Sequence, residues 1–357
     1  SRPGTETVWL TSGVWTGRFV FDIPGITYRA APGHHPVLDG AVTITAPGVT
    51  LRDIELRLSS HTNRTVDTGA NIEILAADTS VINCLAFDGG VAIFSSSENV
   101  LVHGCITNGQ GWQDGPADRG HGHSAYIQNT GPGRVTLDNN IFGPGFGWSA
   151  HAYAQTEGKL EAQTWTRNST AGAGYLTVTG SRYPFLLAGS VASNDYVVAG
   201  NLCFGAGIGL YYTALNGALT FDGGRIDNPG SSQPDTAKWS PATVVSPALV
   251  NPGTLGVYVY PNDYETGRAN ITVFNPNDLS STTADCTGII GASDPWYLYD
   301  GFNPLAGPVS SGTGPTVRVP MAGLTCRTPA GCSAPTHPCP KFGAFVVRST
   351  ATWVAPV

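Results

Sequence analysis

Along the first two thirds of the chain one short pattern recurs: an apolar residue, any residue, an apolar residue, two or three positions of Asp, Asn, Gly or His, then an apolar residue again. It appears as Val49-Thr-Leu51-Arg-Asp-Ile54, Ser80-Val81-Ile-Asn-Cys-Leu85, Val100-Leu-Val102-His-Gly-Cys-Ile106 and Val135-Thr-Leu137-Asp-Asn-Asn-Ile141. Two more copies are Tyr196-Val-Val198-Ala-Gly-Asn-Leu202 and Leu219-Thr-Phe221-Asp-Gly-Gly-Arg-Ile226, and the shortest steps between copies are 21 to 24 residues. Period-two strands broken at a fixed place by residues that tolerate positive φ are what a parallel β-solenoid needs, with apolar side chains stacking inside from coil to coil. A β-sandwich would show hairpin turns at irregular spacing instead.

The pattern predicts an all-β chain: a right-handed parallel β-helix over residues 1–250 and a C-terminal β domain over 251–357. The short apolar runs Val8–Leu10, Arg18–Phe21, Thr27–Ala30, Pro36–Gly40 and Val42–Ile44 suit the first coils. Loop insertions are expected near 59–70, a polar surface loop with His61 and Arg64, near 109–123, and near 157–183, with a strand pair of its own at Leu160–Trp165 and Tyr175–Val178. A Ser- and Pro-rich stretch from Ser231 to Pro252 marks the boundary. The alternating runs beyond it suit a small antiparallel, sandwich-like cap that blunts the open end of the solenoid.

Composition sharpens this picture. With 46 Gly, 26 Pro and 12% charged residues, the chain lacks the charged faces that surface helices need. A net charge of −7 with no basic stripe argues against nucleic acid, and no apolar run is long enough for a membrane span. The seven cysteines lack paired Cys-x-x-Cys spacing. Disulfides among Cys286, Cys326, Cys332 and Cys339 are therefore expected rather than structural zinc, which favours an oxidising, extracellular setting. Cys84 and Cys105, at equivalent repeat positions, are an interior stack or a disulfide.

The chemistry concentrates between Gly111 and Gln155. Gly122-His-Ser-Ala-Tyr-Ile-Gln aligns without gaps on Gly147-Trp-Ser-Ala-His-Ala-Tyr at an offset of 25, about one coil. Stacked coils would set Tyr126 beside His151 and Gln128 beside Tyr153 on one outer face, while Ala125, Ile127, Ala150 and Ala152 point inward. The insertion carrying Asp114, Asp118, Arg119 and His121 would overhang those strands and close a cleft. Candidate acid–base groups are His151, Tyr126, His123 and Tyr153, with Arg119 for an anionic centre. Trp112, Gln128, Trp148 and His121 are candidate substrate contacts, because aromatic faces at a polar cleft suit the C–H faces of sugar rings. Asp114 and Asp118 are candidate ligands for a divalent cation such as calcium. A site of His121, His123 and His151 with Asp118 is a further metal arrangement.

At these residues the chain resembles bacterial secreted right-handed parallel β-helix proteins of the pectate-lyase-like superfamily. That group carries Gly-Trp-x-Gly-Pro-Asp-Arg-Gly-His-Gly-His-Gly-Ile-Tyr-x-Gln-Asn and, a coil later, Gly-Tyr-Gly-Ile-His-Ala-Tyr. The match here is Gly111-Trp112, Gly115-Pro116-Ala117-Asp118-Arg119-Gly120-His121-Gly122-His123, Tyr126, Gln128, Asn129, Gly147 and His151-Ala152-Tyr153. Ala117 is an insertion, and Ser124-Ala125 and Trp148-Ser149-Ala150 replace Gly-Ile and Tyr-Gly-Ile, leaving the polar positions intact. The likeness runs from about Pro32 through the tail, including Tyr260 to Asn270. It implies a secreted carbohydrate-active protein whose partner is a polysaccharide or cell-surface glycan. The leading expectation is a lyase acting by β-elimination on a uronate-containing glycan. The alternatives are a non-catalytic module for glycan binding or filament assembly through self-association, and a glycoside hydrolase using Asp114 and Asp118.

Overall fold

The computed structural model describes residues 6–115, 120–129, 131–154, 160–171, 185–187, 195–205, 207–210, 218–227 and 242–350. Among the described residues, three parallel sheets take the strands in rotation. The first has ten strands, from Thr7–Leu10 to Ala242–Ser246; the second has ten, from Gly13–Thr16 to Leu249–Val250. The third has eight, from Phe19–Phe21 to Ile208–Leu210. Successive strands of each sheet come from successive coils and pair in parallel, so the chain winds as a parallel β-helix with about 4.8 Å between rungs.

The repeat pattern has a local cause at the corner between the first and second sheets. There Asp53, Asn83, Gly104, Asn139, Arg167, Gly200 and Gly223, one per coil, all have φ between 54° and 65°. Asp, Asn and Gly reach that region at little cost. Arg167 is the exception, and its guanidinium is held by Asp138 and Asp263. Beside this corner runs a buried amide ladder: Asn140 Nδ2 donates to Asn168 Oδ1 (2.9 Å) and Asn168 Nδ2 to Asn201 Oδ1 (3.0 Å). Each ladder step satisfies polar groups that the turn would otherwise bury without a partner. Asn168 and Asn270, both in glycosylation triplets, are buried, whereas Asn63 is exposed.

Inside the helix, Leu51, Val81, Val102, Leu137, Trp165, Val198 and Phe221 stack rung on rung, facing Ile72, Ile93, Ile127 and Phe185 across the core. Each such side chain contributes about 1.5–3 kcal/mol by leaving water. Leu160–Trp165 is not part of an insertion. Gln163–Thr166 is a regular first-sheet strand, pairing Val135–Asp138 on one side and Tyr196–Ala199 on the other. Its repeat is disguised because buried Gln163 takes an apolar position, accepting a bond from Trp165 Nε1 (3.3 Å). Tyr175–Val178 lies outside the described residues.

Beyond Val250 the pairing becomes antiparallel. A five-stranded sheet contains Gly256–Pro261, Arg268–Phe274, Phe342–Arg348, Pro295–Asp300 and Pro308–Thr313. It packs against the antiparallel pair Ser281–Asp285 and Thr316–Pro320. Alternation divides the strand Arg268–Phe274. Ala269, Ile271 and Val273 enter the unit's own core, while Asn270, Thr272 and Phe274 turn to the solenoid. The unit covers the solenoid along its flank rather than at its open end. Leu85, Ile106, Ile141 and Leu202, the closing apolar positions of four repeats, point outward from the second sheet and pack against Phe274, Phe302, Phe342 and Val346. An apolar column of that length on an outer face requires a cover.

The seven cysteines are all free thiols, which corrects the expected disulfides. Cys286 lies in the unit's own core and Cys326 on the face packed against the solenoid, so the five-stranded sheet stands between them. Burial pushes these thiols up to about 11 and about 12 respectively, and Asp285 and Asp300 add to the rise. Cys84 and Cys105 form an interior stack, their thiols donating to backbone carbonyls.

The segment 59–70 is not simply a surface loop. His61 and Arg64 are buried. Arg64 Nη1 donates to the carbonyls of Gly109 (2.9 Å) and Gly111 (3.0 Å), its Nε to Ala330 O (2.7 Å) and its Nη2 to Asp88 (3.0 Å). Arg327 pairs with the other side of Asp88. This buried network ties the base of the 109–123 loop to both the solenoid and the C-terminal unit.

Candidate active site

The third sheet carries the site. Its outward column is Thr43, Glu73, Phe94, Tyr126 and His151, one residue per rung in unbroken register, with Tyr126 opposite His151. The loop reaches this column because glycines let four backbone segments crowd together. A Cβ on Gly122 (φ 82°) would strike the Gly90 carbonyl oxygen and Gly111, and one on Gly147 would strike the Gly122 carbonyl oxygen. These glycines place His123 and Trp148 directly above the strands.

The loop closes on itself through an antiparallel bridge between Trp112 and His121, whose backbones exchange bonds of 3.2 and 2.7 Å. Their rings stack at 5.2 Å. His121 and Trp112 form one wall of a cleft of about 560 Å³, whose floor and far wall include Val42, Asp67, Glu73, Phe94, His123 and Tyr126. Arg18 stands at the rim, exposed.

At the end of this cleft the rings converge. His123 stacks on Trp148 at 5.4 Å with 4° between planes, lies 5.3 Å from Tyr126, and meets His151 edge-on at 4.9 Å. His123 Nε2 and His151 Nδ1 are 3.4 Å apart. His151 is 4% exposed, roofed by His123, Trp148, Tyr126 and Tyr153. His151 points outward with Tyr126, as the alternation predicts, but the overlying rings leave it beneath the floor. His123 and Tyr126 are the groups that line the open space.

The remaining candidates divide. Gln128 donates from Nε2 to the Tyr153 carbonyl (2.8 Å), joining two rungs. Asp114 is exposed. Asp118 and Arg119 lie outside the described residues. Among the described residues, the group whose ligand atoms come close enough to hold a cation is His103, Asp138 and Asp263, at the first-sheet corner away from the cleft. There Arg167 already spans the two carboxylates. Asp138 is raised by burial, but hydrogen bonds from His103, Arg167 and Thr166 outweigh this and hold it well below the usual carboxylate range.

Sequence reasoning missed Glu73, Phe94 and Asp67. The alternation Asn71-Ile-Glu-Ile74 does carry the signal, since it sets Glu73 outward between two core isoleucines.

No family model matches the chain, and no curated protein matches it. Among solved structures it is similar to the Dettilon tailspike protein (gp208), at 9% identity and a TM-score of 0.18, over 94% of this chain and 87% of that one. A superposition that loose carries no argument about what this chain binds, so the chemistry must be read from its own cleft.

Proposed function

We propose that this protein is an extracellular carbohydrate-active enzyme that binds a glycan along the third sheet and cleaves it by β-elimination at a uronate residue. The observation that carries the reading is the meeting of His123, His151 and Tyr126 at the end of an aromatic-lined cleft. Elimination needs a base for the proton alpha to the carboxyl group and an acid for the leaving oxygen. His123 and Tyr126 face the space where both must act. In this reading one of them takes the proton, the electron pair forms the new C=C bond, the adjacent C–O bond breaks, and the other protonates the departing oxygen. His151 is a positioning residue that holds the His123 imidazole from below. Arg119, or a cation such as calcium near Asp114 and Asp118, would neutralise the uronate carboxylate.

The test is the ultraviolet absorbance of unsaturated uronate as the protein meets a panel of uronate polysaccharides, with added calcium and with chelator. A signal lost in His123→Ala supports the reading. Glycan binding without any product would assign the cleft to recognition alone.

A further inference from the structure

The cleft continues past the reacting end, and its extension has a different chemistry. Glu73 stands two rungs from Tyr126 with Phe94 between them, about 10 Å along the ladder. Any sugar over Glu73 is therefore a neighbour of the one at His123. Glu73 is half-buried, its backbone held in the ladder between Thr43 and Phe94, and its side chain has no salt-bridge partner among the described residues. It lines the cleft, so a cation bound over this rung would meet its charge. On the next rung of the column stands Phe94, whose ring is 5.6 Å from the Tyr126 ring. A second carboxylate, Asp67, lines the same part of the cleft. Its Oδ1 accepts from Gly69 N (2.8 Å).

A carboxylate beside an aromatic face attracts a cation through both charge and ring quadrupole. The same arrangement repels a second uronate. Resting on the reading of the reacting end as a uronate site, we infer that the rungs around Glu73 are a subsite for a sugar bearing a protonated amino group. The substrate class is then a mixed glycan in which a free amino sugar neighbours the uronate that is cleaved.

Glu73 lies outside the His123, His151 and Tyr126 group, so binding can be tested without the reaction. Calorimetry would compare an oligomer of β-linked glucosamine with its fully N-acetylated counterpart at low salt, using the wild-type protein and Glu73→Gln. The expected result is a preference for the free amine of at least about tenfold, weakened by salt and abolished in Glu73→Gln with an unchanged melting temperature. Equal binding of the two oligomers, a preference that survives Glu73→Gln, or no binding of either would overturn the inference. Failure of β-elimination would leave this comparison intact, so the two ideas fail separately.

Discussion

His123 and His151 come from segments 28 positions apart, yet their ring nitrogens lie 3.4 Å from each other because consecutive coils stack in register. Only His123 borders the open cleft. This asymmetry assigns different outcomes to the two substitutions. His123→Ala should lower turnover by about 10²–10⁴. His151→Asn should cost less and should shift the pH–rate profile, because the group that holds the His123 imidazole is gone. If His151 served packing alone, its loss would lower the melting temperature and leave the profile in place.

Asp88 is the hub of the buried network, receiving Arg64, Arg327 and the Ala330 amide. Replacing it with Asn would leave two arginines short of a countercharge beneath the loop. The expected cost is about 3–5 kcal/mol in urea unfolding. Protease cleavage within 109–123 should accelerate as well, since Arg64 anchors that loop. A cost below about 1 kcal/mol would show that the pairing is screened.

Acid should weaken the fold at the first-sheet corner. Asp138 and Glu265 are both raised by burial and lowered further by their partners, His103, Arg167 and Thr166 for the first, Arg268 and Arg348 for the second. Both folded-state values end below the unfolded ones. Their stabilisation is therefore complete above the ordinary carboxylate range and is lost as pH falls through the depressed values, from about pH 5 downward. Asp138→Asn should flatten that part of the stability curve; an unchanged slope would contradict the role given to Asp138.

Thiol titration checks the cysteines. The unfolded protein, never exposed to reductant, should release seven reactive thiols, while in the native state Cys84, Cys105 and Cys203 should resist labelling. Five or fewer after unfolding would restore a disulfide.

The β-helix was legible because αL-tolerant residues recur where each coil turns from the first sheet into the second. The pairing of Tyr126 with His151 was legible in the ungapped alignment of their two segments at an offset of 25. Other features depend on contacts that spacing does not encode. Leu85, Ile106 and Ile141 are apolar whether they face the interior or a covering sheet, so the flank position of the C-terminal unit left no mark in the repeat. The burial of His151 requires His123 and Trp148 to fold back over it, which is a property of the two irregular segments that precede their strands. Glu73 follows the irregular 59–70 segment, where the repeat loses its phase.

The most direct test is product formation by the wild-type protein on uronate-containing polysaccharides, read as the ultraviolet absorbance of the new double bond. A rise that disappears in His123→Ala but persists in Gln128→Ala is the expected result. No rise on any of these glycans, with binding still measurable by calorimetry, would contradict the enzyme and leave a glycan-recognition protein.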